Sequence, residues 1–139
     1  MTRMSGAWGV LVAAFVVMGC DQPAGPDVVT FERLSPPGGG FTPQVFSIDG
    51  NVAIQAVFAT PCEPYDATAS ADVRGAVLRL TVRGNATGAC PLDHLSGSFY
   101  YRATIAHVPT GRYAVRAIHT YADAYWPADS LEFGTLDLP

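Results

Sequence analysis

From Val28 onward, apolar residues recur at every second position, the spacing of a strand with one buried face. Val28 to Leu34 predicts a first strand. Ser35-Pro36-Pro37-Gly38-Gly39-Gly40 stops it, because proline removes a backbone donor and glycine resists ordering. Gln44 to Ile48 predicts a short second strand, and Asp49-Gly50-Asn51 supplies residues that tolerate the positive φ of a hairpin turn. Val52, Ile54, Ala56 and Phe58 then alternate with Ala53, Gln55 and Val57 in a third strand. Tyr65 to Ala69 carries a weaker pattern. Ala76, Leu78, Leu80 and Val82 alternate with Val77, Arg79, Thr81 and Arg83, the clearest half-buried strand, and Gly84-Asn85-Ala86-Thr87-Gly88 reads as its closing turn. Ser98 to Ala106 places Phe99, Tyr101, Ala103 and Ile105 on one face. Pro109-Thr110-Gly111 turns the chain, Arg112 to Tyr121 returns with Tyr113, Val115, Ala117 and His119 inward, and Leu131 to Leu136 ends it. No stretch beyond residue 20 keeps a 3.6-residue period, and no internal repeat occurs. Eight short strands punctuated by Gly and Pro predict an all-β sandwich or a small barrel over residues 28–139.

The first twenty residues follow a different rule. Arg3 is the only charge before Asp21, and Ala7 to Val17 is an uncharged, mostly apolar run of eleven. A helix rising about 1.5 Å per residue needs about 20 such residues to cross a hydrocarbon core of about 30 Å. Eleven are too few to span and suit the apolar region of a secretory signal; a buried N-terminal helix is the competing reading. Val17-Met18-Gly19-Cys20, which ends the segment, resembles the lipobox of bacterial lipoproteins, with Met18 a less usual filler. The resemblance implies a signal peptide over residues 1–19, cleavage behind Gly19, acylation of Cys20, and a lipidated tether over residues 20–27. The expected location is the bacterial cell envelope, with the membrane as a partner through the lipid anchor. Two or more acyl chains hold a protein stably on a bilayer, each buried CH₂ contributing about 0.8 kcal/mol.

Composition narrows the function classes. Of 139 residues, 49% are hydrophobic and 14% charged, which excludes a disordered chain. Eight basic residues against twelve acidic give a formal charge of -4, so no nucleic-acid partner is expected. All eight basic residues are arginine. Guanidinium forks recognise carboxylates and phosphates, but a chain rich in Ala, Gly, Val, Pro and Arg and devoid of Lys is better explained by a GC-rich genome.

Val108-Pro109-Thr110-Gly111-Arg112-Tyr113-Ala114-Val115 resembles the penultimate strand of immunoglobulin-like and fibronectin type III-like sandwiches, and also the strand entry of transthyretin-like modules. The resemblance covers Phe99 to His119. It implies an immunoglobulin-like sandwich of about seven to eight antiparallel strands, with Tyr113 as a tyrosine corner whose ring packs in the core and whose hydroxyl bonds upstream backbone. It implies nothing about activity.

Three cysteines leave Cys62 and Cys90 once Cys20 is assigned to the anchor. In an exported chain a disulfide between them is expected; its loop of about 29 residues would contribute roughly 3–4 kcal/mol. His119, Tyr121 and Asp123 share one strand face and form a conceivable half-site for zinc, but a histidine satisfied by a hydrogen bond explains them better, and no metal or cofactor is expected. There is no Gly-x-Ser-x-Gly elbow and no His-Glu-x-x-His. The remaining candidate is the aromatic cluster Tyr121, Tyr125 and Trp126, flanked by Asp123 and Asp129. It could stack on a sugar ring or a protein partner, or Trp126 could cap the open end of the core. The sequence therefore predicts a non-enzymatic binding or structural module with an envelope protein or glycan as possible ligand. A carbohydrate- or peptidoglycan-binding domain using the aromatic loop is the alternative, and a small hydrolase or metal carrier ranks below both.

Overall fold

The computed structural model describes residues 28–61, 65–86, 97–122 and 126–139. The eight expected strands are β1 (Val29–Leu34), β2 (Gln44–Ile48), β3 (Asn51–Thr60), β4 (Tyr65–Arg74), β5 (Val77–Ala86), β6 (Gly97–Ile105), β7 (Gly111–Tyr121) and β8 (Asp129–Leu138). They form two four-stranded sheets packed as a sandwich. Sheet A runs β1-β6-β3-β2 and sheet B runs β4-β5-β7-β8. Among the described residues there is no helix. The expected signal peptide (1–19) and tether (20–27) fall on residues outside those described.

Alternation decides which side chains meet between the sheets. Val52, Ile54, Ala56 and Phe58 of β3 face Leu78, Leu80 and Val82 of β5 and Val115 and Ala117 of β7, all buried, with Tyr101, Ala103 and Ile105 of β6 completing the centre. Burying a side chain of Val, Leu, Ile or Phe size contributes about 1.5–3 kcal/mol each, so this layer dominates stability. Toward one end the core becomes aromatic. Phe58 stacks on Phe99 at 5.3 Å and lies 5.0 Å from both His119 and Tyr121, while Phe31 stacks on Tyr101 at 5.1 Å.

Five of the six strand pairs are antiparallel, as expected; β5 and β7 are parallel. A parallel pair cannot be joined by a hairpin and needs a crossover. Here the crossover runs through β6: the chain leaves sheet B after β5, lies between β1 and β3 in sheet A as β6, and returns to sheet B as β7. The return is fixed where the sequence predicts it. Tyr113 is buried and its hydroxyl donates to the Pro109 carbonyl at 2.9 Å, a tyrosine corner across the β6–β7 turn.

Two turns follow their residues. Asp49 (φ 50°) and Gly50 (φ 76°) both take positive φ between paired Ile48 and Asn51, the two-residue hairpin loop that Asp-Gly favours. Gly75 (φ 59°) opens the equally short β4–β5 turn.

The strands β4, β5 and β8 each differ from the sequence pattern by more than one residue at an end. β4 runs ten residues, to Arg74, because Ala67, Ala69, Ala71 and Val73 alternate with Thr68, Ser70 and Asp72. Alanines fill that inward face, so the hydrophobic signal is faint. β8 extends beyond both expected ends, from Asp129 to Leu138. Gly84 does not close β5 but lies within it: a Cβ there would meet the Tyr65 ring and come within 2.7 Å of Phe58 Cζ. The glycine leaves room for two rings, where the sequence alone reads it as a breaker.

Gly84→Ala should therefore destabilise the protein by about 1–3 kcal/mol, the range for forcing extra volume into a packed core. Tyr113→Phe, which keeps the ring and loses the corner bond, should cost about 0.5–1.5 kcal/mol. Chemical denaturation of both variants against wild type checks these values.

Candidate functional site

The expected site residues fall into three groups. Cys20, Cys62 and Cys90, and with them the expected anchor and disulfide, lie outside the described residues, as do Tyr125 and Asp123. Tyr113 sits in the corner and is structural. Tyr121 and Trp126 meet edge-to-face at 6.0 Å, both half-buried. The Tyr121 ring is also wedged against Phe58 at 5.0 Å and Tyr65 at 6.4 Å. Its hydroxyl is buried, and that burial, reinforced by the negative charge of Asp129, pushes its pKa up to about 12. Ring contacts with Phe58, Tyr65 and Trp126 pack the half-buried Tyr121 ring against the end of the core and leave it a poor stacking platform.

His119 is also core. Its imidazole is buried, and Nε2 lies 2.9 Å from the Tyr101 hydroxyl on the opposite sheet. Nδ1 stands 3.0 Å from Asp129 Oδ1. The Nδ1–H direction misses that oxygen, so this second contact is electrostatic rather than a hydrogen bond. The carboxylate nevertheless favours the tautomer protonated at Nδ1, which leaves Nε2 to accept from Tyr101. Burial pulls the His119 pKa below its ordinary value, against the opposing pull of Asp129. Burial likewise raises the Tyr101 pKa. Both groups are neutral near pH 7. Among the described residues no cluster of three or more His, Cys, Asp or Glu could hold a metal ion.

A site that the sequence pattern did not single out lies on the outer face of sheet A. Register aligns Glu32 of β1, Arg102 of β6, Gln55 of β3 and Gln44 of β2 in one row across all four strands. Arg102 Nη1 donates to Glu32 Oε1 at 3.0 Å. Its Nε and Nη2 lie 2.9 and 2.7 Å from the Gln55 amide oxygen in the orientation that satisfies both groups. The Gln55 and Gln44 amides meet at 2.8 Å. Gln55 is almost fully buried although it faces outward, because the β1–β2 connection folds over this end of the face. Phe41 in that connection packs edge-on against Tyr100 at 4.7 Å. Together they border a groove of about 400 Å³ lined by Leu34, Phe41, Gln44, Gln55 and Tyr100. A second groove, of about 300 Å³, lies on the other side of the row over Ala53, between Phe46 and Ile48 of β2 and Arg102 and Thr104 of β6. The row thus sits between two depressions, one bordered by Phe41 and Tyr100 and the other by Phe46.

The outer face of sheet B carries a charged row instead. Asp72 pairs with Arg79 at 2.6 Å, Arg79 neighbours Arg116, and Arg116 pairs with Glu132 at 2.5 Å. The hydrogen bond from Arg79 holds the Asp72 carboxyl below its ordinary pKa. Such exposed pairs are worth about 0–1 kcal/mol each and describe a solvated face. The signal for the sheet A site was present in the sequence as Gln44, Gln55 and Arg102, but only register shows that they share a row.

Comparison with known proteins gives no matching family model, no similar curated sequence and no similar solved structure.

The buried imidazole generates a prediction. The unfolded chain binds a proton at His119 at the ordinary pKa of 6.5, and the folded chain does so only at lower pH. Stability from this group is therefore complete above about pH 6.5 and falls as pH drops below it. The denaturation midpoint of wild type should decline between pH 7.5 and 5.5, and His119→Phe should remove most of that decline. A wild-type midpoint that rises on acidification through this window would contradict the assignment.

Proposed function

We propose that the chain is a lipid-anchored protein of the bacterial cell envelope whose sandwich is a non-enzymatic binding module, with its ligand on the outer face of sheet A. The anchor reading is carried by Val17-Met18-Gly19-Cys20 behind an uncharged run too short to span a bilayer. Seven residues, Asp21 to Asp27, separate Cys20 from Val28 and reach at most about 25 Å, so the module works close to the membrane. Cys62 follows β3 and Cys90 follows β5, and both of those strands end at the same end of the sandwich. That placement supports the Cys62–Cys90 disulfide expected of an exported chain.

The binding reading is carried by the Glu32–Arg102–Gln55–Gln44 row. Arg102 is held from both sides, so it orients a ligand rather than activating one, and the Glu32 charge offsets its own. A row without net charge favours a neutral ligand. The glycan reading gains from this arrangement: sugar hydroxyls both donate and accept, as the two amides and the guanidinium–carboxylate pair require, and sugar C–H faces pack on rings such as Tyr100 and Phe46. It gains on this face what it loses at the Tyr121/Tyr125/Trp126 loop, where Tyr121 packs against the end of the core.

Two experiments test the proposal. Cys20→Ser should move the protein out of the membrane fraction or leave an uncleaved precursor; a variant cleaved behind Gly19 that still partitions with membranes would refute the anchor. Full-length protein in detergent should be retained on insoluble peptidoglycan, with Tyr100→Ala weakening retention about tenfold and Trp126→Ala leaving it unchanged, a loss of roughly 1.4 kcal/mol for one stacking ring. The reverse order would return the site to the aromatic loop.

A further inference from the structure

We propose that β2 is a strand-addition edge that pairs antiparallel with β2 of a second copy of this chain, about a two-fold axis at Phe46. The observation is a contrast among the four edge strands of the sandwich. β1 carries Glu32 and Arg33, and Arg33 reaches across to the Tyr65 carbonyl of β4 while lying over the Phe99 ring at 4.0 Å. β4 carries Asp66, Asp72 and Arg74. β8 carries Asp129, Glu132 and Asp137, and its ladder to β7 is broken by a bulge beside Gly134, which takes φ 82°. Charges and bulges are two means by which an edge resists pairing with another chain; shortness is a third, and β2, at five residues, has only that one. β2, Gln-Val-Phe-Ser-Ile, carries neither charge nor bulge, and among the described residues its Ile48 is one of three large apolar side chains left exposed.

The backbone fixes what would cover this edge. In a two-residue hairpin the residues that close the loop exchange hydrogen bonds, so Ile48, and with it Phe46 and Gln44, direct their N–H and C=O groups at β3. The N–H and C=O groups of Val45 and Ser47 then point away from the sheet. Only another strand presents donors and acceptors at that spacing. Among antiparallel registers of β2 on itself, the one centred on Phe46 pairs all five residues. It sets Val45 opposite Ser47 of the second copy, twice, so the outward groups of both residues are satisfied by four hydrogen bonds. Phe46 faces its own copy in a non-hydrogen-bonded pair, where side chains are closest and aromatic pairs add to stability. No like charges face each other in this register, and the contact is isologous and closes at two copies. The two four-stranded sheets become one sheet of eight, ordered β1-β6-β3-β2 and its reverse.

The inference does not depend on the lipid anchor or the ligand, and its test reads neither. In full-length protein, Phe46→Cys should give an intermolecular disulfide on mild oxidation, because the non-hydrogen-bonded pair brings the two Cα atoms to about 4.5 Å, within disulfide reach. Ile48→Cys should not link to itself, since the two positions stand four residues apart, about 13 Å. Wild type, run alongside, accounts for the native cysteines. In detergent, wild type should sediment as a dimer, and Ser47→Lys, an exposed change that puts a charge on the edge, as a monomer with an unchanged melt. A monomeric wild type, equal crosslinking at positions 46 and 48, or crosslinking of Phe46→Cys to a different protein would each overturn the proposal; the last would assign the edge to another partner.

Discussion

The fold turns on the passage of the chain through sheet A, as β6, between β5 and β7 of sheet B. β5 and β7 lie side by side and parallel in sheet B, which is possible only because the chain between them crosses the sandwich and comes back. Two hydrogen bonds hold this arch. Tyr113 ties its own strand to the Pro109 carbonyl at the turn, and Tyr101 on β6 meets His119 on β7 between the sheets. Both use a tyrosine whose ring adds to the core while its hydroxyl finds a partner, so the arch gains apolar burial without leaving a buried hydroxyl unpaired. With β6 fixed, its outward residues Tyr100, Arg102 and Thr104 are set between β1 and β3, and the polar row on sheet A follows from register alone.

The two outer faces then diverge. Sheet B carries alternating charges on exposed pairs, as a solvated surface does. Sheet A carries one ion pair and two amides linked in a row, with grooves on either side and a covering connection that contributes Phe41. The same asymmetry holds at the edges. Arg33 closes the side where β1 meets β4, whereas β2 ends sheet A with uncharged residues. Charge thus lines the β1, β4 and β8 edges and the sheet B face, and is absent from the β2 edge.

Much of the architecture was legible because alternation and turn chemistry agree with each other. Gln44–Ile48 and the Asp49-Gly50 turn appear where the pattern places them, and the Tyr113 corner stands where the resemblance of Val108–Val115 to immunoglobulin-like strands implies it. The pattern failed where packing depends on a missing side chain. The pattern shortens β4 because alanines give little hydrophobic contrast, and it makes Gly84 a stop because nothing local reveals that Phe58 and Tyr65 converge on it. The parallel β5–β7 pair was not legible, since alternation records which face is buried and not which strand lies alongside. For the same reason the sheet A row stayed hidden: Glu32, Gln44, Gln55 and Arg102 span seventy residues of sequence and meet only through register.

The inter-sheet bond is the most exposed part of this account. Tyr101→Phe removes one partner and His119→Leu the other, and each single change leaves a buried polar group unpaired, at about 1–3 kcal/mol. The double variant leaves neither. A double-mutant cycle by equilibrium denaturation at pH 8 should therefore give a double variant less destabilised than the two singles combined, by about 0.5–3 kcal/mol. Additivity within about 0.3–0.5 kcal/mol would mean that the two rings merely pack, and that the arch is held by something else.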